Sequence, residues 1–216
     1  MKLYRFPWSG YARKVQMVLD LLQLPAAVVD VPYCDRTELA TLTGGYIYVP
    51  VLVDDGGQVI CDSRRICQHL LVGPAAEALV PPPLDGPIWA YTDWCDGPFE
   101  DVMFKIASPV VRERFERPAE RALYTLIKER KFGPGCVDAW ARDRDQLLAR
   151  AREMLEPSAR TLAAQPFLFG ARPTLADAAL YGMCALLSAD PHLIEGFQPE
   201  IASFHRRMDE RSLPRS

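Results

Sequence analysis

Apolar positions in this chain follow two regimes. Up to about residue 75 they come in short runs separated by turn residues, and beyond about residue 88 they recur at helical spacing. Lys2 to Phe6 reads as a short, partly aromatic strand, and Pro7-Trp8-Ser9-Gly10 as a turn. Ala12, Val15, Val18, Leu19 and Leu22 then share one face of a helix, which Pro25 closes. Ala26 to Val31 reads as a second strand, and a polar stretch from Cys34 to Gly45 leads to a third at Val49 to Val53. Asp54-Asp55-Gly56-Gly57 is a hairpin turn that returns the chain as Val59 to Cys61, ahead of a helix from Asp62 to Leu71. This order, strand-helix-strand and then strand-strand-helix, suits a mixed four-stranded sheet with helices packed on it.

Val72 to Pro87 contains five prolines and two glycines, a composition that stiffens the chain without regular structure and reads as a linker. After it, Ile88 to Lys105, Pro118 to Lys131, Val137 to Ala164, Thr174 to Ser188 and Pro199 to Arg211 read as helices, with Pro157 placed to kink or divide the third. Thr174-Leu175-Ala176-Asp177 has the spacing of a capping box opening a core helix. The expected organisation is an α/β domain over residues 1–75, a proline-rich linker over 76–87 and an all-α helical domain over 88–216.

The chain has 216 residues, 49% of them hydrophobic, which is ample material for a packed core. Its 25 Lys and Arg against 28 Asp and Glu give a formal charge of -3 with no massed basic segment, so nucleic acid is not an expected partner. No apolar run approaches the roughly 20 residues needed to span a bilayer, and residues 1–20 lack a charged leader followed by a long apolar core. No membrane association and a cytoplasmic location are expected. The six cysteines are dispersed and form no metal-like group with the three histidines, so they read as reduced packing thiols, with no metal site expected.

Candidate chemistry concentrates in Tyr48-Val49-Pro50-Val51-Leu52 and in Asp62-Ser63. A proline in an extended segment cannot donate a ladder hydrogen bond, so it marks an edge strand or an unusual peptide bond such as a cis one. Asp62 or Ser63 can cap the following helix, and the free N–H groups there attract a carboxylate. On these residues alone, an edge strand and a helix cap account for the stretch.

Together with the linker and the late Phe167-Leu168-Phe169-Gly170-Ala171-Arg172-Pro173-Thr174-Leu175-Ala176-Asp177 segment, this order resembles the cytosolic glutathione transferase family over nearly the whole chain. The resemblance implies a thioredoxin-like N-terminal domain, an all-helical C-terminal domain and a homodimer. It also implies glutathione as co-substrate and a small hydrophobic electrophile bound between the domains, in a detoxification role. The matching positions imply that Val49 pairs its backbone with the cysteinyl part of glutathione beside a cis Pro50. They further imply that Asp62 and Ser63 hold the γ-glutamyl amine and carboxylate. Arg5 stands where tyrosine-type members carry their tyrosine, so the chain resembles the serine-type, theta- or zeta-like bacterial members. Ser9 is then the catalytic candidate, donating a hydrogen bond to the glutathione sulfur, with Tyr11 a second candidate. Trp8 is placed to wall the electrophile site, and Asp93, Asp96 and Asp101 lie on the helix from which some members reach toward glutathione.

Tyr46-Ile47-Tyr48 departs from the family pattern, because many members carry a lysine or glutamine there for the glycyl carboxylate. Arg36, Arg13 or a tyrosine hydroxyl can stand in for it, with a guanidinium giving the stronger charge-assisted bond. Residues 112–135 are longer than a minimal member requires. The implied reaction is conjugation, or a related isomerisation or reductive cleavage. The alternative is a non-catalytic member of the same fold that binds ligands or proteins. The lack of cysteine in the first turn argues against thiol-disulfide exchange.

Overall fold

The structure, a computed structural model, describes residues 1–213; the end of the expected helical region, 214–216, lies outside them. Four strands, β1 (Lys2–Arg5), β2 (Ala27–Asp30), β3 (Val51–Val53) and β4 (Val59–Cys61), form one mixed sheet in the order β2-β1-β3-β4. β1 runs parallel to β2 through the crossover helix α1 (Gly10–Leu21), and antiparallel to β3.

Register assigns the two faces. Leu3 stands opposite Leu52, and Leu52 opposite Ile60; all three are buried in the main core with Val15, Val18 and Leu19 of α1. Tyr4, Val51 and Cys61 alternate to the other face, where Tyr4 and Val51 pack with Val31 and Leu39. That second face corrects the sequence reading of Cys34 to Gly45 as polar connection, for it contains a helix, α2 (Thr37–Thr43). Leu39 plugs into the sheet and Leu42 packs beside it, while Gly44 ends the helix in the left-handed conformation at φ 71°. Covering a sheet face needs only those few apolar residues, so composition gave little signal.

The expected linker is also largely ordered. After α3 (Ser63–Leu70) comes α4 (Pro74–Leu79), then a 3-10 turn at Pro82–Leu84, then α5 (Asp85–Trp94). Pro74 and Pro82 stand in the first turns of their segments, where a missing N–H costs nothing, so the prolines start helices here rather than prevent them.

The remaining chain is helical, with boundaries that differ from the sequence reading. A π-helical segment at Cys95–Phe99, containing Pro98, joins α5 to α6 (Glu100–Glu113). α7 (Pro118–Phe132) follows, then α8 (Cys136–Arg142) and α9 (Arg144–Ala164). The division of the expected third helix falls at Asp143, and Pro157 lies inside α9 without dividing it. α10 (Leu175–Cys184) carries on its N-terminus the capping box of Thr174 and Asp177. A 3-10 turn, Ala185–Ala189, leads to α11 (His192–Glu195) and α12 (Pro199–Asp209). Asp177 is fully buried: its carboxylate accepts from Thr174 N (2.8 Å), Thr174 Oγ1 (2.7 Å) and Leu168 N (2.9 Å). Burial raises its pKa against the pull of those bonds.

α1 joins the sheet to the helices. Gly10 of α1 and Gly182 of α10 meet where the two helices cross. Arg13 donates to the Tyr181 hydroxyl at 2.8 Å, and Lys14 forms an ion pair with Asp96 of the π segment. Among the described residues no helix is long and apolar enough to cross a membrane, and no group of three or more His, Cys, Asp or Glu could hold a metal.

Candidate functional site

A cavity of about 630 Å³ opens between the sheet and the helices that follow it. Ser9, Val49, Pro50, Asp62 and Ser63 all border it, although they come from three separate places in the first 63 residues.

Ser9 ends the turn after β1 and is the N-cap of α1, with extended backbone (φ −98°, ψ 112°) and Oγ accepting from Ala12 N at 3.3 Å. A cap uses a lone pair of the hydroxyl and leaves its O–H free to donate into the cavity. No acidic residue occupies the first turn of α1, so the positive end of that helix is unopposed locally.

The Val49–Pro50 peptide bond is cis. Pro50 O accepts from Asp62 N at 3.3 Å, tying the two candidate segments together. The N–H and C=O of Val49 enter no backbone hydrogen bond among the described residues, so both remain available at the cavity edge. Asp62 has φ 80° and ψ 133°, a conformation an aspartate rarely adopts. It caps α3 through Oδ1, which accepts from Arg64 N (3.0 Å) and Arg65 N (3.2 Å), while Oδ2 has no hydrogen-bond partner among the described residues. Ser63, 4% exposed, follows as the first residue of α3; its hydroxyl likewise has no protein partner there and borders the cavity. One free carboxylate oxygen, one free hydroxyl and the start of a helix can together take an amine and a carboxylate.

Other expected residues separate into those at the cavity and those turned away. Trp8 borders it. Tyr11 does too, but its hydroxyl donates to the Asp96 carbonyl at 2.8 Å, and burial, with Glu100, Asp96 and Asp62 adding to it, pushes the phenol upward. That commits Tyr11 to joining α1 to the π segment. Asp96 borders the cavity while paired with Lys14; burial raises its carboxyl and the Lys14 ammonium opposes the rise. Asp93 pairs with Arg64, whereas Asp101 pairs with Lys105 at 2.6 Å and does not border the cavity. Of the two substitute cations, Arg13 points to Tyr181 and only Arg36 borders the cavity, with Nη1 donating to Ile47 O at 3.0 Å and Nε to Tyr33 O at 3.2 Å.

Residues not singled out in the sequence complete the wall: Tyr33 from the loop after β2, Glu100 and Phe104 from α6, and Tyr124, Lys128 and Lys131 from α7. Burial raises Glu100 to about 7, with Lys131 opposing. Lys128, 8% exposed, donates to the Tyr33 hydroxyl at 2.7 Å. A signal for this face was present: Tyr124, Ile127, Lys128 and Lys131 fall at i, i+3, i+4 and i+7.

The family models described as glutathione S-transferase N-terminal domain and glutathione S-transferase C-terminal domain match residues 3–76 and 137–207. No protein of curated function matches the sequence. Among solved structures, a glutathione S-transferase of Ceriporiopsis subvermispora in complex with glutathione superposes with a TM-score of 0.81 at 17% identity, covering 99% of this chain and 98% of that one. A glutathione transferase of Phanerochaete chrysosporium gives 0.75 at 18%, covering 100% and 98%. Glutaredoxin 2 of Salmonella typhimurium, in complex with glutathione, gives 0.72 at 18%, covering 98% and 94%. At these identities the likeness is one of fold. With both halves matched in order, and with a four-stranded sheet followed by helices, the chain belongs to the glutathione S-transferase family.

Proposed function

We propose that this chain is a glutathione transferase that binds glutathione in the cavity and presents its sulfur, as thiolate, to a small hydrophobic electrophile. The observation that carries the reading is the convergence of Ser9, Val49, Pro50, Asp62 and Ser63 on one cavity. Asp62 Oδ2 takes the γ-glutamyl amine, and the Ser63 hydroxyl with the N–H groups at the start of α3 takes the γ-glutamyl carboxylate. The free N–H and C=O of Val49 pair with the cysteinyl backbone. Arg36 takes the glycyl carboxylate, in place of a residue before Val49.

The Ser9 O–H donates to the sulfur. A free thiol titrates near ~8.5, so a hydrogen bond and the positive end of α1 that favour the anion enlarge the reactive fraction at neutral pH. Thiolate sulfur then bonds to the electrophilic carbon, and the electron pair leaves on a departing group or moves onto an acceptor that takes up a proton. Glutathione is the nucleophile, and Ser9 stabilises its charge. The turn before α1 has no cysteine, which favours conjugation or a related isomerisation or reductive cleavage over exchange through a protein thiol. The proposal includes a glutathione-binding domain over 1–75, a helical domain over 88–216, a homodimer and a cytoplasmic location.

Calorimetric titration with glutathione tests the binding, and no heat of binding at millimolar concentration sinks the reading. Ultraviolet titration of the bound thiol tests Ser9: Ser9→Ala should raise the thiol pKa by on the order of one unit. An unchanged thiol removes Ser9 from the mechanism and leaves it a helix cap. The non-catalytic alternative predicts glutathione binding with no turnover of any electrophile in a panel.

A further inference from the structure

Among the described residues four cations border the cavity. Arg64 is paired with Asp93, whereas Arg36, Lys128 and Lys131 form no ion pair among the described residues. Lys128 is the most buried of the four. Its Nζ lies 3.9 Å from the Tyr124 ring centroid, 5.2 Å from that of Tyr33 and 5.3 Å from that of Phe104. Aromatic faces attract an ammonium without neutralising it. Among the described residues its one hydrogen bond goes to a neutral acceptor, the Tyr33 hydroxyl. An ammonium has three N–H donors, so two are left for whatever enters the cavity.

A buried cation with no anion is costly and calls for one. Burial, and after it the nearby Arg36, depress Lys128 to about 8, the response of an ammonium that lacks its counter-charge. Glu100 acts on it in the opposite sense, but Glu100 is itself raised by burial to about 7 and is therefore an incomplete counter-ion near neutrality. The Tyr33 oxygen accepts from Lys128, which leaves the Tyr33 O–H as a further donor beside the ammonium. The cavity wall also carries the aromatic side chains of Phe6, Trp8, Phe104 and Tyr124, whose faces suit a flat co-substrate.

We propose that Lys128 and the Tyr33 hydroxyl hold a carboxylate on the electrophilic co-substrate, so that the cavity selects acidic aromatic or unsaturated electrophiles over neutral ones of the same shape. This rests on the transferase reading for the word electrophile, but the carboxylate site itself stands on α7 and the loop after β2. Lys128 is thus a specificity-determining residue. It holds one end of the co-substrate while the thiolate reacts at another, and no proton is transferred to or from it.

The test separates binding from turnover. Calorimetry with nitrobenzoate and nitrobenzamide, two unreactive probes that differ in charge and little in shape, needs no glutathione. The wild-type protein should bind the acid about tenfold more tightly or better, and Lys128→Met should erase that preference while Lys128→Arg retains part of it. Equal binding of acid and amide by the wild-type protein overturns the proposal, whatever becomes of the variants. In turnover with glutathione, chloronitrobenzoate should exceed chloronitrobenzamide in kcat/KM by a similar factor, and Tyr33→Phe should reduce the ratio. If Lys128→Met loses glutathione affinity while its preference for acid is unchanged, Lys128 serves glutathione's own carboxylate and the proposal fails. Preference for nitrobenzoate without glutathione binding supports the carboxylate site and removes the transferase reading. Glutathione binding without that preference removes the carboxylate site alone.

Discussion

Gly182 of α10 lies against Gly10 of α1 so closely that a Cβ on Gly182 would stand 2.5 Å from the Gly10 carbonyl oxygen and 2.7 Å from Lys14 N. Those are backbone atoms in the helix that Ser9 caps, and they cannot swing aside as a side chain would. Gly182→Ala should therefore force the helices apart and cost about 2–4 kcal/mol, at or above the usual range for overpacking. The measurement is the urea midpoint; a change within experimental error would mean that the crossing is looser than its geometry indicates.

Lys14 is 1% exposed and its ion-pair partner is Asp96. Removing the ammonium strands a carboxylate inside the protein, so Lys14→Met should destabilise by about 3–5 kcal/mol. Adding Asp96→Asn to that variant removes the stranded charge and should restore a substantial part. Equal stabilities for the single and double variants would show that the pair is not the source of the loss.

Asp62 caps α3 and, in the proposed complex, also holds an amine; one substitution separates the two. Asparagine caps a helix about as well as aspartate and tolerates positive φ, but carries no charge for an amine. Asp62→Asn should hold its unfolding midpoint while its glutathione Kd rises about tenfold. If affinity and stability fall together, the cap rather than the ligand explains the residue.

Glu100 links stability to pH. Burial raises its carboxyl from 4.5 to about 7, so between those values the folded protein holds a proton that the unfolded chain has released. Stability from this group is therefore greatest at the acidic end and falls as pH rises through the window. The ceiling is ~3 kcal/mol, and water in the cavity reduces it to about 1–2 kcal/mol. Urea unfolding of wild type and Glu100→Gln at about pH 5 and about pH 8 reads the difference, which should shift in favour of the variant as pH rises.

The sheet was legible because its strands are short apolar runs set between strong turn signals, and Asp54 to Gly57 fixed the hairpin. The long helices were legible from apolar spacing, and Thr174 with Asp177 from the capping pattern. α2 was not, since Leu39 and Leu42 are its only large apolar residues and the sheet face they cover is assembled from strands distant in the chain. The 74–84 stretch reads as a linker because proline breaks regular structure in most positions, whereas in a first turn it starts a helix. At the cavity, Ser9, Val49, Pro50, Asp62 and Ser63 were found through their order along the chain. Glu100 and Lys128 were not: the face that Tyr124, Ile127, Lys128 and Lys131 share, like a charge in the first turn of α6, reads as solvated until the opposite wall is known.

The crossing of α1 and α10 also bears on how this chain could be recombined. Ser9 begins a helix whose next residues are engaged one after another by the second half: Gly10 by Gly182, Tyr11 and Lys14 by Asp96, Arg13 by Tyr181. A hybrid that grafts the first 75 residues onto the helices of another family member would import the Ser9 turn without the residues that orient it. The two halves fit as a matched set, and the units to exchange are these four pairings.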